Sequence, residues 1–161
     1  MKIVKLRLIE SKDNPAIAAL IRTVFREFGI DRPGTAYTDP ATDDLYGLFS
    51  IPSSVYWIAE AGGIMTGGCG IYPTHGLPKG CVELVKFYVA SPYRGKGIGK
   101  QLMEQCFKSA RQLGYRQLYL ESMPELDRAV GMYEKAGFRH LPDRLGDSGH
   151  YSCGIWMLKD L

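Results

Sequence analysis

The chain has 161 residues, with 20 lysines and arginines against 17 aspartates and glutamates, which leaves a formal net charge of +3. A chain of this length is the size of one domain and buries roughly 70% of its unfolded surface on folding, so its core needs no disulfide or metal ion for stability. The isoelectric point near 8.6 excludes the strongly basic balance of a dedicated nucleic-acid-binding protein, although it leaves room for a local anion site.

The N-terminal residues, the longest apolar runs and the cysteines bear on the compartment of the protein. Residues 1–10 alternate basic and apolar side chains and lack the long apolar stretch of a secretory signal. No run approaches the ~18 apolar residues of a membrane span. The four cysteines form no CxxC pair and lie in apolar stretches, which favours buried reduced thiols. We therefore expect a cytoplasmic protein that does not enter a membrane.

The first part of the chain predicts a strand and then an amphipathic helix. Residues 2–9 are typical of a strand, and Asn14-Pro15 supplies a helix cap followed by proline at the first helical position. Six apolar side chains then recur at helical spacing up to Phe28, and Gly29 ends the helix. The helix should bury this apolar face.

The middle of the chain predicts three strands in succession. Residues 29–53 show no clear period, although 45–49 are compatible with a short helix. Residues 55–60 and 64–72 predict a β-hairpin with Gly62-Gly63 as its turn, and residues 81–89 predict the third strand.

The last part predicts two more helices and three strands. Residues 98–113 have a clear apolar face and end at Gly114, and residues 117–121 are typical of a strand. Ser122 and Glu125 then predict a capping box for a helix that Gly137 stops, before strands at 138–141 and 151–158. This order predicts an α/β (α+β) fold with a mixed sheet and helices on both faces, formed by residues 1–161 as a single domain.

One loop has the character of a phosphate site. Residues 90–100, ASPYRGKGIGK, join the third strand to the following helix. Glycine lets a ligand approach the backbone, and helix-opening N–H groups have no intrahelical acceptor. Residues 86–111 contain six basic residues and one acid, Glu104, which favours an anionic ligand. A flexible turn with solvated lysines is the alternative. The dinucleotide and Walker patterns fit this spacing less well.

The loop and two flanking segments resemble a known family. Residues 94–99, RGKGIG, resemble the (Q/R)xxGx(G/A) signature of the GNAT superfamily of N-acetyltransferases. Residues 83–89, ELVKFYV, are similar to the family's fourth strand, and residues 129–138 resemble its AxxxYxxxGF segment. Leu126 stands where members often carry asparagine. The resemblance implies a central mixed, mostly antiparallel sheet of six to seven strands.

The resemblance also implies a cofactor site. It implies acetyl-CoA as the acyl donor, with its pantetheine arm on the main chain of Phe87, Tyr88 and Val89. The pyrophosphate would then be bound by Arg94, Gly95, Lys96, Gly97, Ile98, Gly99 and Lys100. No spacing among the histidines and cysteines is typical of a metal site, so we expect no metal.

Two catalytic candidates follow from the resemblance. Glu83 stands six residues before Val89, where some members place a general base, and an apolar strand would raise its pKa. A carboxylate at the rim paired with Lys79 or Lys86 is the alternative. Tyr133 is the candidate acid for the departing thiolate, whereas periodicity alone makes it a core residue.

The implied activity is transfer of an acetyl group to a primary amine of a small molecule or peptide, by direct attack on the thioester. The alternative is an inactive CoA-binding sensor or scaffold. Acidic residues between 31 and 46 could attract a cationic amine or could be ordinary turn residues, and residues 143–150 are the candidate second wall. Nucleic acid is disfavoured because aromatic residues do not cluster with the basic ones. Homodimerisation stays open on the sequence alone.

Overall fold

The computed structural model describes residues 3–161, which form one seven-stranded sheet with helices on both faces. The strands are β1 (Val4–Leu8), β2 (Val55–Ala61), β3 (Ile64–Tyr72), β4 (Cys81–Val89), β5 (Gln117–Ser122), β6 (Arg139–His140) and β7 (Ile155–Asp160). The helices are α1 (Asn14–Glu27), α2 (Leu45–Leu48), α3 (Ile98–Gln112) and α4 (Asp127–Lys135). The predicted fold class is confirmed. Lys2, which the predicted first strand included, lies outside the described residues.

The sheet has the order β1-β2-β3-β4-β5-β7-β6. Strands β4 and β5 are parallel neighbours, and the other neighbouring pairs among the described residues are antiparallel. A parallel pair needs a crossover connection, which α3 supplies between β4 and β5. The one parallel contact therefore lies in the middle of an otherwise antiparallel sheet.

Alternation along the strands separates two apolar cores. In β2, Tyr56 and Ile58 pack in the core beneath α1, whereas Ala59 packs in the core beneath α3. Successive strand side chains point to opposite faces, so one strand supplies both cores. The hairpin turn between β2 and β3 places Gly62 and Gly63 at φ +59° and +78°, values that glycine adopts without steric cost.

Three predictions at the ends of elements were wrong. Helix α1 begins at Asn14 rather than after it, and the Asn14 amide instead donates to Asp44 and accepts from the Tyr46 N–H of α2. Helix α4 begins at Asp127 after a short 3-10 turn, so Ser122 is the last residue of β5 and forms no capping box. The predicted strand 138–141 pairs only at residues 139–140.

The start of the last strand was also wrong. Strand β7 starts at Ile155 rather than residue 151 because the preceding loop bonds elsewhere. The Ser152 N–H donates to the Gly34 carbonyl at 3.0 Å, and the Asp147 N–H donates to the His75 carbonyl at 2.7 Å. All four cysteines are buried and free, as the sequence predicts. No helix of residues 3–161 has the length and apolar character needed to cross a bilayer.

Candidate active site

A cleft opens where β4 and β5 diverge. The two strands pair only at Cys81, Val82 and Glu83 with residues 117–119, and no further pair forms among the described residues. Beyond that point β4 continues to Val89 while β5 ends at Ser122. Main-chain groups of β4 on that side thus lack a strand partner and can bind an extended ligand. The cleft has a volume of about 600 Å³, including the solvent at its mouth, and both Glu83 and Tyr133 line it.

A bulge at Lys86 bends β4 beside this cleft. On β3, Gly70 lies opposite Val85 and Gly68 lies opposite Tyr88, so β4 contains one extra residue between these pairs. Lys86 has φ +53°, the left-handed conformation that non-glycine residues adopt at a steric cost. Such a conformation persists only where its surroundings hold it in place.

Tyr56 holds the bulge in place from the core beneath α1. Its hydroxyl, fully buried, donates to the Lys86 carbonyl at 2.7 Å. The ring lies against Gly68 and Gly70, where a Cβ atom would come within 2.5 Å and 2.6 Å of Tyr56 atoms. The two glycines of β3 are therefore required by the close approach of this tyrosine.

The loop before α3 presents unpaired N–H groups. Helix α3 begins at Ile98, and Gly95 and Gly97 have φ +75° and +83°. Within the described chain, no main-chain N–H from residue 95 to residue 100 donates a hydrogen bond to another residue. A Cβ on Gly95 or Gly97 would meet no atom within 4 Å. This open group of donors at a helix N-terminus suits a diphosphate.

The basic side chains of the loop do not all face outward. The Arg94 guanidinium bonds to the Val89 carbonyl at 2.9 Å and to the Glu27 carboxylate at 3.1 Å, and it lies over the Phe28 ring. Arg94 thereby ties the loop to the end of α1, and its main-chain N–H donates to Ser91. In this conformation its guanidinium is held by these groups, and Lys96 and Lys100 are the lysines beside the open N–H groups.

The three residues at the end of β4 lie between the loop and the cleft. The ring centroid of Phe87 is 6.1 Å from that of Tyr133, on the α3 side of the sheet. Tyr88 packs on the opposite side, 5.4 Å from Phe25. The main chain of this segment is thus fixed from both faces at the edge of the cleft.

Glu83 is a buried carboxyl group. Only 3% of the residue is exposed, and Thr74 Oγ1 donates to Glu83 Oε1 at 2.6 Å. Burial, together with the negative charge of Glu121, raises the pKa of Glu83 to about 8. The alternative of a rim carboxylate paired with Lys79 or Lys86 is wrong, because Lys86 instead pairs with Asp39 and Glu83 has no exposed ion pair.

Tyr133 lies in α4, whose first turn begins after Leu126. The tyrosine is 7% exposed and packs edge-on against Phe138 with centroids 5.7 Å apart. Burial raises the pKa of its phenol, so the hydroxyl stays protonated and can donate a hydrogen bond. Leu126 also lines the cleft and makes that part of the wall apolar.

The contacts among the polar side chains of the cleft region were missed from the sequence. Glu121 accepts hydrogen bonds from Tyr119, at 2.7 Å, and from Ser148. Asp39 joins Lys86 and His150, which comes from a loop 111 residues further along the chain. The acidic segment and the 143–150 segment named as candidate walls therefore meet at one ion cluster. Within residues 3–161 no group of histidine, cysteine and carboxylate side chains is arranged to hold a metal ion.

Comparison with known proteins identifies the family. The model of the acetyltransferase (GNAT) family matches residues 17–138. The chain belongs to the GNAT family. A relative, the uncharacterized N-acetyltransferase YjgM of Escherichia coli K12, is 39% identical over 157 residues, which are 97% of this chain and 94% of that protein. A mouse protein described as probable N-acetyltransferase family 8 member 5 is 33% identical over 64% of this chain and 44% of its own length.

Solved GNAT structures share the fold. A GNAT acetyltransferase of Staphylococcus aureus has a TM-score of 0.83 at 16% identity, with 99% of both chains covered. The PaiA N-acetyltransferase of Thermoplasma acidophilum, solved in complex with coenzyme A, has a TM-score of 0.75 at 16% identity, with 99% of both chains covered. The GNAT fold of this chain is thus shown by sequence and by structure.

Proposed function

We propose that this GNAT protein transfers an acetyl group from acetyl-CoA to a primary amine of a small molecule or peptide. The observation that carries the proposal is the junction of two features. The unpaired N–H groups of residues 95–100 and the diverging end of β4 lead toward one cleft. That cleft contains a buried carboxyl group, Glu83, and a protonated phenol, Tyr133.

The residues present fit coenzyme A. The open N–H groups around Gly97, with Lys96 and Lys100 nearby, suit the pyrophosphate. The main chain of residues 87–89 lies at the edge of the gap beside β5 and suits the amides of the pantetheine arm. The complex of PaiA with coenzyme A supports the same kind of donor here. When bound, acetyl-CoA supplies the thioester carbonyl to be attacked.

Glu83 serves as the base in this proposal. An alkylamine with a pKa of about 10.4 is neutral in only about one molecule in a few thousand at pH 7, so proton removal limits attack. A carboxylate whose pKa is raised to about 8 is a far stronger base than an exposed one. It accepts the amine proton, directly or through a water molecule, as the C–N bond forms.

Tyr133 serves as the acid. The C–S bond breaks as the amide forms, and the departing sulfur needs a proton or a hydrogen bond. The Tyr133 hydroxyl makes no hydrogen bond to another described residue, so its donor is free for this purpose. Because its pKa lies above that of an ordinary thiol, about 8.5, it acts mainly as a donor that stabilises the thiolate.

The test is turnover. Purified protein, acetyl-CoA and a panel of primary amines are mixed, and free thiol is followed with a chromogenic reagent. Buried cysteines keep the protein's own signal low. Acetylation of at least one amine, confirmed by mass spectrometry, is expected. Tight coenzyme A binding without turnover across a broad panel would instead favour the sensor, and absence of binding would contradict both functions.

A further inference from the structure

The cleft contains a buried ammonium group that the proposed chemistry does not use. Lys86 is 7% exposed and lines the cleft together with Glu83 and His150. Its Nζ lies 3.4 Å from Asp39 Oδ2, and His150 Nε2 lies 2.8 Å from the same oxygen. The other oxygen of Asp39 accepts from the Ala41 N–H at 2.9 Å. Two basic side chains therefore converge on one carboxylate oxygen at the cleft.

The bulge is what brings Lys86 to this position. On a regular strand, residues three apart point to opposite faces of the sheet. Glu83 and Lys86 both line the cleft, and the extra residue of β4 between the pairs at Val85 and Tyr88 breaks the alternation between them. The conformation of Lys86 at φ +53° and the hydrogen bond from Tyr56 to its carbonyl fix this arrangement.

Lys86 is under-satisfied by its protein partners. An ammonium group has three N–H donors, and a buried one is costly unless it is paired and hydrogen-bonded. Among the described residues it has one acceptor, at the long distance of 3.4 Å, and that oxygen already has a shorter bond to His150. An anion entering the cleft would complete the coordination of Lys86.

We propose that Lys86 binds an anionic group of the acceptor, so that the acceptor is an amine carrying a carboxylate or phosphate a few bonds from its nitrogen, as in an amino acid. This inference rests on the proposed function, because it assigns the acceptor of that reaction. Glu83 then lies at the amine end and Lys86 at the anionic end. Both groups come from one strand, so the bulge sets their separation.

Other occupants fit less well. The pyrophosphate of coenzyme A has the donors of residues 95–100 available and so does not need Lys86. A polyamine would place a second ammonium group near that of Lys86. The carboxylate of Asp39 cannot offset this repulsion, since Lys86, His150 and Ala41 already bond to it.

The experiment compares matched acceptors across three proteins. Amino acids are assayed beside their carboxamides, and aminoalkyl phosphates beside the matching amino alcohols, for wild type, Lys86→Met and Asp39→Asn. The measured quantity is the ratio of kcat/KM for the anionic acceptor to that for its neutral partner. Differences in amine pKa cancel when this ratio is compared between proteins.

We expect Lys86→Met to lower this ratio by about 10- to 100-fold, the range for a hydrogen bond between charged groups, mainly through KM for the anionic acceptor. Asp39→Asn breaks the same ion pair but keeps the ammonium group, so the ratio should hold or rise. Lys86→Arg should retain more of the wild-type ratio than Lys86→Met does, because arginine keeps the positive charge. The pair of acceptors that shows the larger ratio in wild type distinguishes carboxylate from phosphate.

Three outcomes would overturn the inference. The first is an equal fall of the ratio in Lys86→Met and Asp39→Asn, which would mean that the ion pair only supports the fold. The second is a fall in kcat alone for both acceptors. The third is efficient acetylation of neutral amines with no preference for anionic ones, a result that leaves the proposed function standing. No turnover of any amine would instead contradict the proposed function itself.

If the Lys86 variants fail to fold, a measurement on the wild-type protein tests whether the site recognises the anionic group. With coenzyme A present, an N-acetyl amino acid should raise the thermal midpoint more than its carboxamide does. Equal shifts from the two compounds, in a protein that acetylates the parent amino acid, would show that no group recognises the anion.

Discussion

Replacement of Glu83 by glutamine is the sharpest test of the chemistry. Glutamine keeps the size of the side chain, and its carbonyl oxygen can still accept the 2.6 Å hydrogen bond from Thr74. It cannot accept a proton from the amine. General bases contribute about 10²- to 10⁴-fold to a rate, so Glu83→Gln should lower kcat/KM by that factor while coenzyme A binding is kept. Thiol release gives the rate, and calorimetric titration with coenzyme A gives the affinity.

The pH dependence gives a second measure of the same group. With the pKa of Glu83 raised to about 8, roughly one tenth of the molecules carry the ionised base at pH 7 and roughly nine tenths at pH 9. Ionisation of Glu83 should therefore contribute about a tenfold rise to wild-type kcat/KM over that range. Glu83→Gln should lose this rise in kcat/KM and keep only the pH dependence that comes from the acceptor's own amine.

The stability of the folded protein should fall as pH rises, whereas the activity rises. Burial raises the pKa of Glu83 in the folded protein, so the folded state binds this proton more tightly than the unfolded chain does. The folded state thus loses stability as pH rises from about 4.5 toward 8, to an upper limit of about 5 kcal/mol at pH 9. Glu83→Gln should unfold at a higher temperature than wild type at alkaline pH. An unchanged rate and pH profile in this variant would refute the role of Glu83 as base.

Three further variants test the rest of the site. Glu121→Gln removes the charge that helps to raise the pKa of Glu83, so the midpoint of the pH–rate profile should move to lower pH; an unchanged midpoint would contradict this coupling. Tyr133→Phe should lower kcat by about 10²-fold, the cost of one donor to a developing anion, with little change in acetyl-CoA affinity in a binding titration. Gly97→Glu should abolish coenzyme A binding, since a carboxylate enters the group of open N–H donors. Gly97→Ala is its control: it costs about 1 kcal/mol of stability from φ +83° in thermal unfolding but should retain measurable affinity.

The sequence predicts those parts of the site that depend on local pattern. The glycine-rich loop could be located because a strand and an amphipathic helix flank it, and both were confirmed as β4 and α3. Glu83 could be singled out because the family resemblance places a general base six residues before Val89, on an otherwise apolar strand. Its burial and its contact with Thr74, nine residues away across a turn, needed the folded structure.

The bulge and the ion cluster could not be predicted for two different reasons. A left-handed residue in a strand is normally signalled by glycine, and here it is a lysine within an apolar run. The cluster joins Asp39 to His150 across 111 residues, and no short-range pattern encodes a contact at that separation. The wrong capping box at Ser122 has a similar cause, since pairing with β7 at Ile155 keeps that residue in the sheet.

In the proposed function, two interruptions of the sheet each serve one of the two ligands. The divergence of β4 from β5 leaves main-chain groups free along one line, which suits an extended donor. The bulge in β4 opposite β3 turns Lys86 into the cleft that holds Glu83, which suits a short acceptor. Because both interruptions lie on one strand, the positions of the two ligands are coupled through the backbone. Tyr56, which bonds to the bulge from the core, therefore fixes the position of Lys86, the residue proposed to bind the acceptor.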